Sequence, residues 1–191
     1  MNVKYCPGSK KFKNKFVKKL RNIIDEDTII VCIGSANVYG DSLGPRVGSA
    51  LKELNFPLTV FGTMENPINA INFNEQYKLI SNDCRNKKII AIDASCGTLE
   101  ELGCVKLKNK SIRIGRGLNK KIGSIGDYSL TGCVILRQET PELNFDMLVV
   151  EDNPLVEILT NSIVGLLFRS YELGPTLIHK ILKSIARHFK G

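Results

Sequence analysis

Residues 29–45 read IIVCIGSANVYGDSLGP, and this stretch decides the fold. An apolar run ends in a loop of small residues, and the loop carries Asp41 to the start of a helix. A second apolar run, residues 89–92, ends directly in Asp93. Both acids therefore follow predicted parallel strands, and open α/β sheets place their ligands at the carboxyl ends of such strands. We expect the functional site there.

Outward from these two runs, strand patterns alternate with helix patterns. The predicted strands and helices of the first half are strand 28–34, helix 43–54, strand 58–62, helix 68–83 and strand 87–93. This order favours right-handed crossovers and a parallel sheet.

The second half of the chain has a different pattern. Residues 103–107 and 111–114 alternate as a hairpin does, and a glycine-rich loop follows them. A short strand at 131–136 and an apolar helix at 153–172 come next. We predict an α/β fold in three layers: a parallel-centred sheet, helices on both faces and a C-terminal antiparallel hairpin, all in a single domain over residues 1–191.

The charge is concentrated at the two ends of the chain. The formal net charge is +8, and residues 1–21 hold eight Lys and Arg residues and no acid. Residues 175–191 add four bases and no acid, whereas residues 22–174 carry four more acids than bases. A nucleic-acid-binding interpretation would depend on the ends alone, so nucleic acid is a disfavoured partner.

Both basic ends are predicted to be amphipathic helices, at about 10–24 and 175–190, each with a narrow apolar stripe. Three interpretations are open. The stripes pack on the core, they form an interface in a homo-oligomer, or the basic faces attract acidic partners.

The remaining composition is typical of a reduced cytoplasmic protein. The chain has no apolar run of membrane-spanning length, and no signal-peptide core follows the basic residues 10–19. Its six cysteines form no CxxC pair, and several lie in apolar runs where a thiol behaves as a small hydrophobe. Cys96 is better explained in that way than as a nucleophile, since no histidine is near it in sequence.

Each aspartate has a structural alternative. Asp41 is a potential helix cap, and Asp93 is suited to an Asx turn that ends its strand. If their strands are neighbours, however, the two carboxyls meet in one crevice, where close carboxylates do not readily ionise together. Such a pair divides the work of hydrolysis, because the ionised member takes a proton from water and the other hydrogen-bonds the scissile carbonyl.

Two loops are candidates for binding the substrate. The small residues before Asp41 allow a close approach of backbone to a ligand, and the glycine-rich loop after residue 114 is either a substrate-gripping loop or an ordinary connection. Asp127 is either a third acid of the site or the cap of a turn. The expected substrate-binding residues are Gly34, Ser35, Asn37, Gly40, Ser42, Gly115, Gly117 and Asp127.

Four motifs carry a resemblance to a known family. They are CIGS at 32–35, GDSLGPRVG at 40–48, IDA at 92–94 and GDYSLTG at 126–132. Over most of residues 28–135 the chain resembles the YyaC-type sporulation proteins of spore-forming bacteria. That family is related to the spore germination protease, which degrades small acid-soluble spore proteins, and more distantly to hydrogenase maturation proteases.

The resemblance implies a phosphorylase/hydrolase-like sandwich and places the catalytic aspartates at Asp41 and Asp93. His179 and His188 are far from the motifs in sequence, so we expect neither a metal site like that of the maturation proteases nor any cofactor. The predicted function is a sporulation-associated endopeptidase in the cytoplasm of the sporulating cell or forespore. Its substrate is a protein or peptide, with small acid-soluble spore proteins as candidates. The alternative is a non-catalytic protein that binds a peptide or partner in the same crevice.

Overall fold

The structure of the protein is a computed structural model and describes residues 2–83, 86–115 and 122–172. The strands are β1 (Asn2–Tyr5), β2 (Thr28–Cys32), β3 (Val60–Phe61), β4 (Lys88–Gly97), β5 (Val105–Lys108), β6 (Ile112–Ile114), β7 (Gly123–Ile125) and β8 (Tyr128–Leu136). The helices are α1 (Lys10–Arg21), α2 (Leu43–Glu53), α3 (Phe73–Asp83), α4 (Pro141–Val149) and α5 (Pro154–Glu172).

A mixed sheet forms the centre of the described chain. Its six strands lie in the order β1-β5-β8-β4-β2-β3. The four strands from β8 to β3 are parallel, and β5 and β1 extend the sheet in antiparallel pairing. The prediction that the two site strands are neighbours is confirmed, because β2 pairs with β4 and Cys32 lies opposite Ile92. The chain leaves β2 toward β3 on one side, with β4 on the other, so a topological switch point lies between β2 and β4.

Successive side chains of the central strands enter two different cores, as the pleat of a strand requires. Ile30 and Ile90 belong to a core that they share with α1, α2 and α5. Ile29 and Ala91 belong to a second core, closed by α3 and the β6–β7 pair. The predicted three-layer α/β fold is confirmed.

The N-terminal helix packs on the first core. Phe16 and Leu20 of α1 are fully buried there, so the packing interpretation of its apolar stripe is confirmed for these residues. Phe12, at the start of the stripe, is 56% exposed and does not take part. The predicted second end helix, at 175–190, lies outside the described residues.

Residues 103–107 and 111–114 were predicted to pair with each other as a hairpin, and this pairing is wrong. β5 joins the main sheet between β1 and β8, because Val105 and Leu107 are buried in the first core. β6 pairs instead with β7, forming a separate antiparallel pair. The antiparallel hairpin therefore exists, but with a later strand as its second member.

Several boundaries also differ from the predicted ones. Helix α3 begins at Phe73 rather than 68, because asparagine side chains close a turn before it. Asn69 donates its backbone N–H to Oδ1 of Asn72, and Nδ2 of Asn72 donates to the carbonyl of Pro67. Such local bonds compete with helix formation. Strand β8 begins at Tyr128 rather than 131, and neither β1 nor α4 was predicted.

The expectation of wholly reduced cysteines is wrong for one pair. Cys6 and Cys104 form a disulfide, because antiparallel pairing of Tyr5 with Val105 brings the adjacent residues face to face. Cys32, Cys96 and Cys133 are free thiols. Among the described helices, none combines the length and the apolar character that crossing a membrane would take.

Candidate active site

Strand β4 does not end at Asp93, as the sequence predicts, but continues to Gly97. Asp93 pairs with Thr131 of β8, so the Asx-turn interpretation is wrong. On its other side, β2 ends at Cys32, opposite Ile92. Asp93 is therefore the first residue of β4 beyond the paired length of β2, at the switch point between the two strands.

Asp41 reaches the same place from the loop after β2. Helix α2 begins at Leu43, as predicted, and Asp41 lies in a single 3₁₀ turn, Gly40–Ser42, just before it. The N-cap of α2 is Ser42, and its side chain makes no capping bond. Instead, Oδ2 of Asp41 accepts a hydrogen bond from the backbone N–H of Ser35 at 2.7 Å. The cap interpretation is wrong, and the bond closes the loop onto the end of β2.

Gly34 makes this closed loop possible. Its φ is +145°, and a Cβ built on it would lie 2.0 Å from the carbonyl oxygen of Asp41. Gly40 is similarly occluded, since a Cβ there would lie 2.8 Å from Cδ2 of Leu148. Contacts within the protein thus account for both glycines, and their role in substrate binding stays a prediction.

The two carboxyls are half-buried and interact electrostatically. Burial raises the pKa of Asp41, and a hydrogen bond from the Ser35 backbone opposes that rise. The pKa of Asp93 is raised well above its ordinary value, first by burial and then by the charge of Asp41, against a lowering hydrogen bond from the Ala94 backbone. The two groups therefore titrate as a pair, and one of them keeps its proton to a higher pH than an ordinary aspartate does.

A short polar network braces the loop from the side of α2. The buried Ser42 hydroxyl donates to the carbonyl of Tyr39 at 2.6 Å and accepts from Nε of Arg46 at 2.8 Å. The guanidinium carbon of Arg46 lies 4.9 Å from the centre of the Tyr39 ring, within cation–π range. The sequence analysis assigned no role to Tyr39 or Arg46. Tyr39 lies three residues before Ser42 and Arg46 four residues after it, a spacing that brings side chains together where the chain is helical. Asn37 lies exposed in the same loop.

Asp127 is not brought to the pair. Its backbone N–H donates to the carbonyl of Ile89, and its carboxylate accepts from the Ile89 N–H, both at 2.9 Å. Asp93 lies four positions beyond Ile89 along β4, which is about 13 Å at the usual rise per residue. The Asp127 carboxylate thus binds the backbone of the neighbouring strand at the start of β4 rather than capping a turn, and it lies away from the aspartate pair.

The other loop residues and Cys96 are also located. Gly115 follows β6 in the separate strand pair, whereas Gly117 lies outside the described residues. Cys96 packs against the first core, which agrees with its interpretation as a small apolar side chain.

Sequence reasoning missed helix α4, which lies against the 3₁₀ turn that carries Asp41. Leu148 of α4 packs on the first core and over Gly40. Thr140 caps the helix by accepting the Leu143 N–H at 3.2 Å, and Pro141 occupies its first turn. A Thr-Pro pair of this kind is a helix-start signal, so the sequence contained the information.

In residues 2–83, 86–115 and 122–172, no three His, Cys, Asp or Glu side chains are grouped closely enough to hold a metal ion. His179 and His188 lie outside those ranges. The expectation of neither metal nor cofactor stays a prediction.

The described residues form an α/β protein with two half-buried aspartates at the switch point of its sheet. The chain belongs to the family described as "Protein of unknown function (DUF1256)", whose model matches residues 3–162. It is 30% identical over 128 residues to "Uncharacterized protein YyaC" of Bacillus subtilis (strain 168), in an alignment that covers 66% of this chain and 62% of that protein. The chain thus spans less than two thirds of that relative's length. The predicted similarity to YyaC is confirmed, and the relation to the germination protease stays a prediction.

Among solved structures, the crystal structure of a NiFe hydrogenase maturation protease, HycI from Thermococcus kodakarensis KOD1, is similar to this one. The TM-score is 0.45 and the identity is 17%, over 78% of this chain and 98% of that chain. A similarity of this size carries no argument about activity.

Proposed function

We propose that the protein is a peptidase in which Asp41 and Asp93 activate water for attack on a peptide bond. One observation carries the proposal. Two half-buried carboxyls, held by neighbouring parallel strands, interact strongly enough that the charge of Asp41 raises the pKa of Asp93. A pair of this kind presents an acid and a base to one substrate.

The surroundings of the two carboxyls divide the roles. Asp41 is the base, because the Ser35 N–H stabilises its ionised form. Asp93 holds the shared proton, since both burial and its neighbour disfavour its charge. Asp41 takes a proton from water, the hydroxide attacks the scissile carbonyl carbon, and the proton of Asp93 passes to the carbonyl oxygen. When the intermediate collapses, that oxygen returns its proton to Asp93, the C–N bond breaks and the leaving amine takes the proton from Asp41.

The biological setting is proposed from the family resemblance. The GDSLGP block and the match to YyaC support a germination-protease-like endopeptidase that acts during sporulation, in the cytoplasm of the sporulating cell or forespore. Small acid-soluble spore proteins are the candidate substrates.

Digestion of a spore-protein extract tests the function. The extract is incubated with the wild type, Asp41→Asn, Asp93→Asn and Asp27→Asn, and the fragments are quantified by mass spectrometry. Asp27 is an exposed acid before β2 and serves as the matched control. The wild type and the control should give the same fragments, whereas each pair variant should lose at least about a hundredfold in rate, the usual contribution of an acid–base group.

Circular dichroism of each variant checks that the fold is intact. The peptidase proposal would be rejected if the folded wild type cut no protein and all four forms of the chain bound the same extract protein equally well. That result would favour the binding protein that shares this fold.

A further inference from the structure

Helix α4 exposes apolar side chains to solvent beside the aspartate pair. None of its nine residues is buried, and Leu143, Phe145 and Met147 are 48%, 37% and 42% exposed. A surface helix normally turns its apolar residues toward the core. Leu143 and Met147, four residues apart, share one side of the helix, and Phe145 and Val149 share another, with Asp146 between the two rows. So many exposed apolar side chains on one short helix mark an interaction surface.

Helix α4 contacts the 3₁₀ turn that carries Asp41 through its inner side. Leu148, on the inner side of α4, covers Gly40, and Gly40 directly precedes Asp41. The absence of a side chain at Gly40 is what lets the helix approach so closely, because a Cβ there would lie 3.0 Å from the backbone of Leu148. A peptide seated on the exposed side of α4 would therefore lie one helix diameter, about 10 Å, from the turn that carries Asp41.

The surface of α4 and its flanking residues is acidic, which indicates the charge of the segment that would bind to it. Residues 137–152 contain five acids and one base, all of them exposed. The apolar side chains lie among these acids, which are Glu139, Glu142, Asp146, Glu151 and Asp152. Such a surface repels acidic segments and attracts basic ones.

We propose that α4 is the docking surface for a basic, apolar segment of the protein substrate, which it holds beside Asp41 and Asp93. The apolar side chains of the segment contact the two apolar rows, that of Leu143 and Met147 and that of Phe145, and its basic side chains pair with Asp146 between the rows and with the other acids. The inference rests on the proposed function for the cleavage that follows, whereas docking itself requires no catalysis.

Fluorescence anisotropy tests docking apart from cleavage. The protein is the full chain carrying Asp93→Asn, so that the probe is not cut. The probe is a labelled synthetic amphipathic peptide with leucine on one helical face and lysine on the other, and its control carries glutamate in place of every lysine. In this background, Phe145→Gln and Asp146→Lys test α4, and Leu79→Gln tests an exposed residue of α3 as the matched control.

The lysine peptide should bind at least about tenfold more tightly than the glutamate peptide. Either α4 substitution should weaken it about tenfold, and Leu79→Gln should not. Equal binding of both peptides, no binding, or indifference to both α4 substitutions would overturn the proposal. A dimer in sedimentation that Phe145→Gln dissociates would also overturn it, since α4 would then be covered by a second copy. Peptide binding at α4 by a protein that cuts nothing would reject the peptidase and retain the docking surface.

Discussion

Asp41 and Asp93 occupy a site that disfavours the charge of both. Burial raises the pKa of each, and the charge of Asp41 raises that of Asp93 further. In the unfolded chain, each carboxyl titrates near its ordinary value of 3.8. The folded state therefore holds a proton that the unfolded state has already lost, and deprotonating the pair costs stability.

Asp93→Asn should stabilise the protein at neutral pH. A folded pKa above the unfolded one contributes stability that is present below pH 3.8 and is lost as the pH rises through the raised value. Asparagine has no such charge, so the free energy of unfolding of the variant should exceed that of the wild type at pH 7. The difference should shrink as the pH falls toward 3.8. Urea unfolding of both proteins across this range measures it, and a difference that does not change with pH would contradict the assignment.

Sequence reasoning located this pair because each acid follows a continuous apolar run. It could not place Asp127, which also adjoins a strand. The edge of the sheet at which an acid lies depends on how its strand pairs with its neighbours. Strand β8 runs parallel to β4, and Asp127 lies beside Ile89, at the edge where both strands begin. This pairing joins residues that are far apart in sequence, so the residues around Asp127 do not predict it.

Among the elements, α4 is the one on which the proposed docking depends. It is short, lies on the surface and is held by its Thr140 cap, by Leu148 and by Asn144, whose Oδ1 accepts from the Gln138 N–H. Helices anchored this lightly open before the core does. The cap therefore controls how often the docking surface is formed.

Thr140→Ala should loosen α4 without unfolding the protein. Loss of an N-cap costs about 1 kcal/mol, so amide hydrogen exchange within residues 143–149 should accelerate about fivefold. Hydrogen exchange read by mass spectrometry measures this change, with Thr59→Ala, a substitution of an exposed threonine beside β3, as the control. Unchanged exchange in α4, or equal acceleration in the control, would show that the cap has no such role.

The elements that the sequence misassigned share a physical cause. The α4 residues are apolar without facing the core, so the usual periodicity is missing. The β5 and β6 patterns are correct as strands, but their partners are chosen by burial in two different cores. The central strands were predictable because successive residues such as Ile29 and Ile30 are buried on opposite sides of the sheet, which requires unbroken apolar runs.

At the scale of the whole molecule, the disulfide joins the N-terminal region to the rest of the sheet. Cys6 and Cys104 are separated by 98 residues, and the link follows the edge strand β1. A cross-link over so long a loop removes many conformations from the unfolded chain. The fold class was predictable from the order of strands and helices, whereas this link was not, since it depends on the pairing of β1 with β5.

Cys6→Ser should lower the free energy of unfolding by about 4.7 kcal/mol, the loop-entropy value for a link of this length. Urea unfolding with and without a thiol reductant measures it. The wild type should lose a similar amount when it is reduced, and the variant should be indifferent to the reductant. Cys96→Ser, which removes a free thiol, should stay sensitive to the reductant as the wild type is. A wild type unaffected by reduction would contradict the role of the disulfide.

The central claim is that Asp41 and Asp93 share one proton, and carboxyl-carbon NMR titration of the two side chains tests it most directly. In the wild type, one of the two carboxyls should titrate well above the ordinary value of 3.8. In Asp41→Asn, the pKa of Asp93 should fall, because the neighbouring charge is gone, yet it should remain raised by burial. Two carboxyls that titrate independently near the ordinary value, with Asp93 unmoved by Asp41→Asn, would contradict the pair and the function built on it.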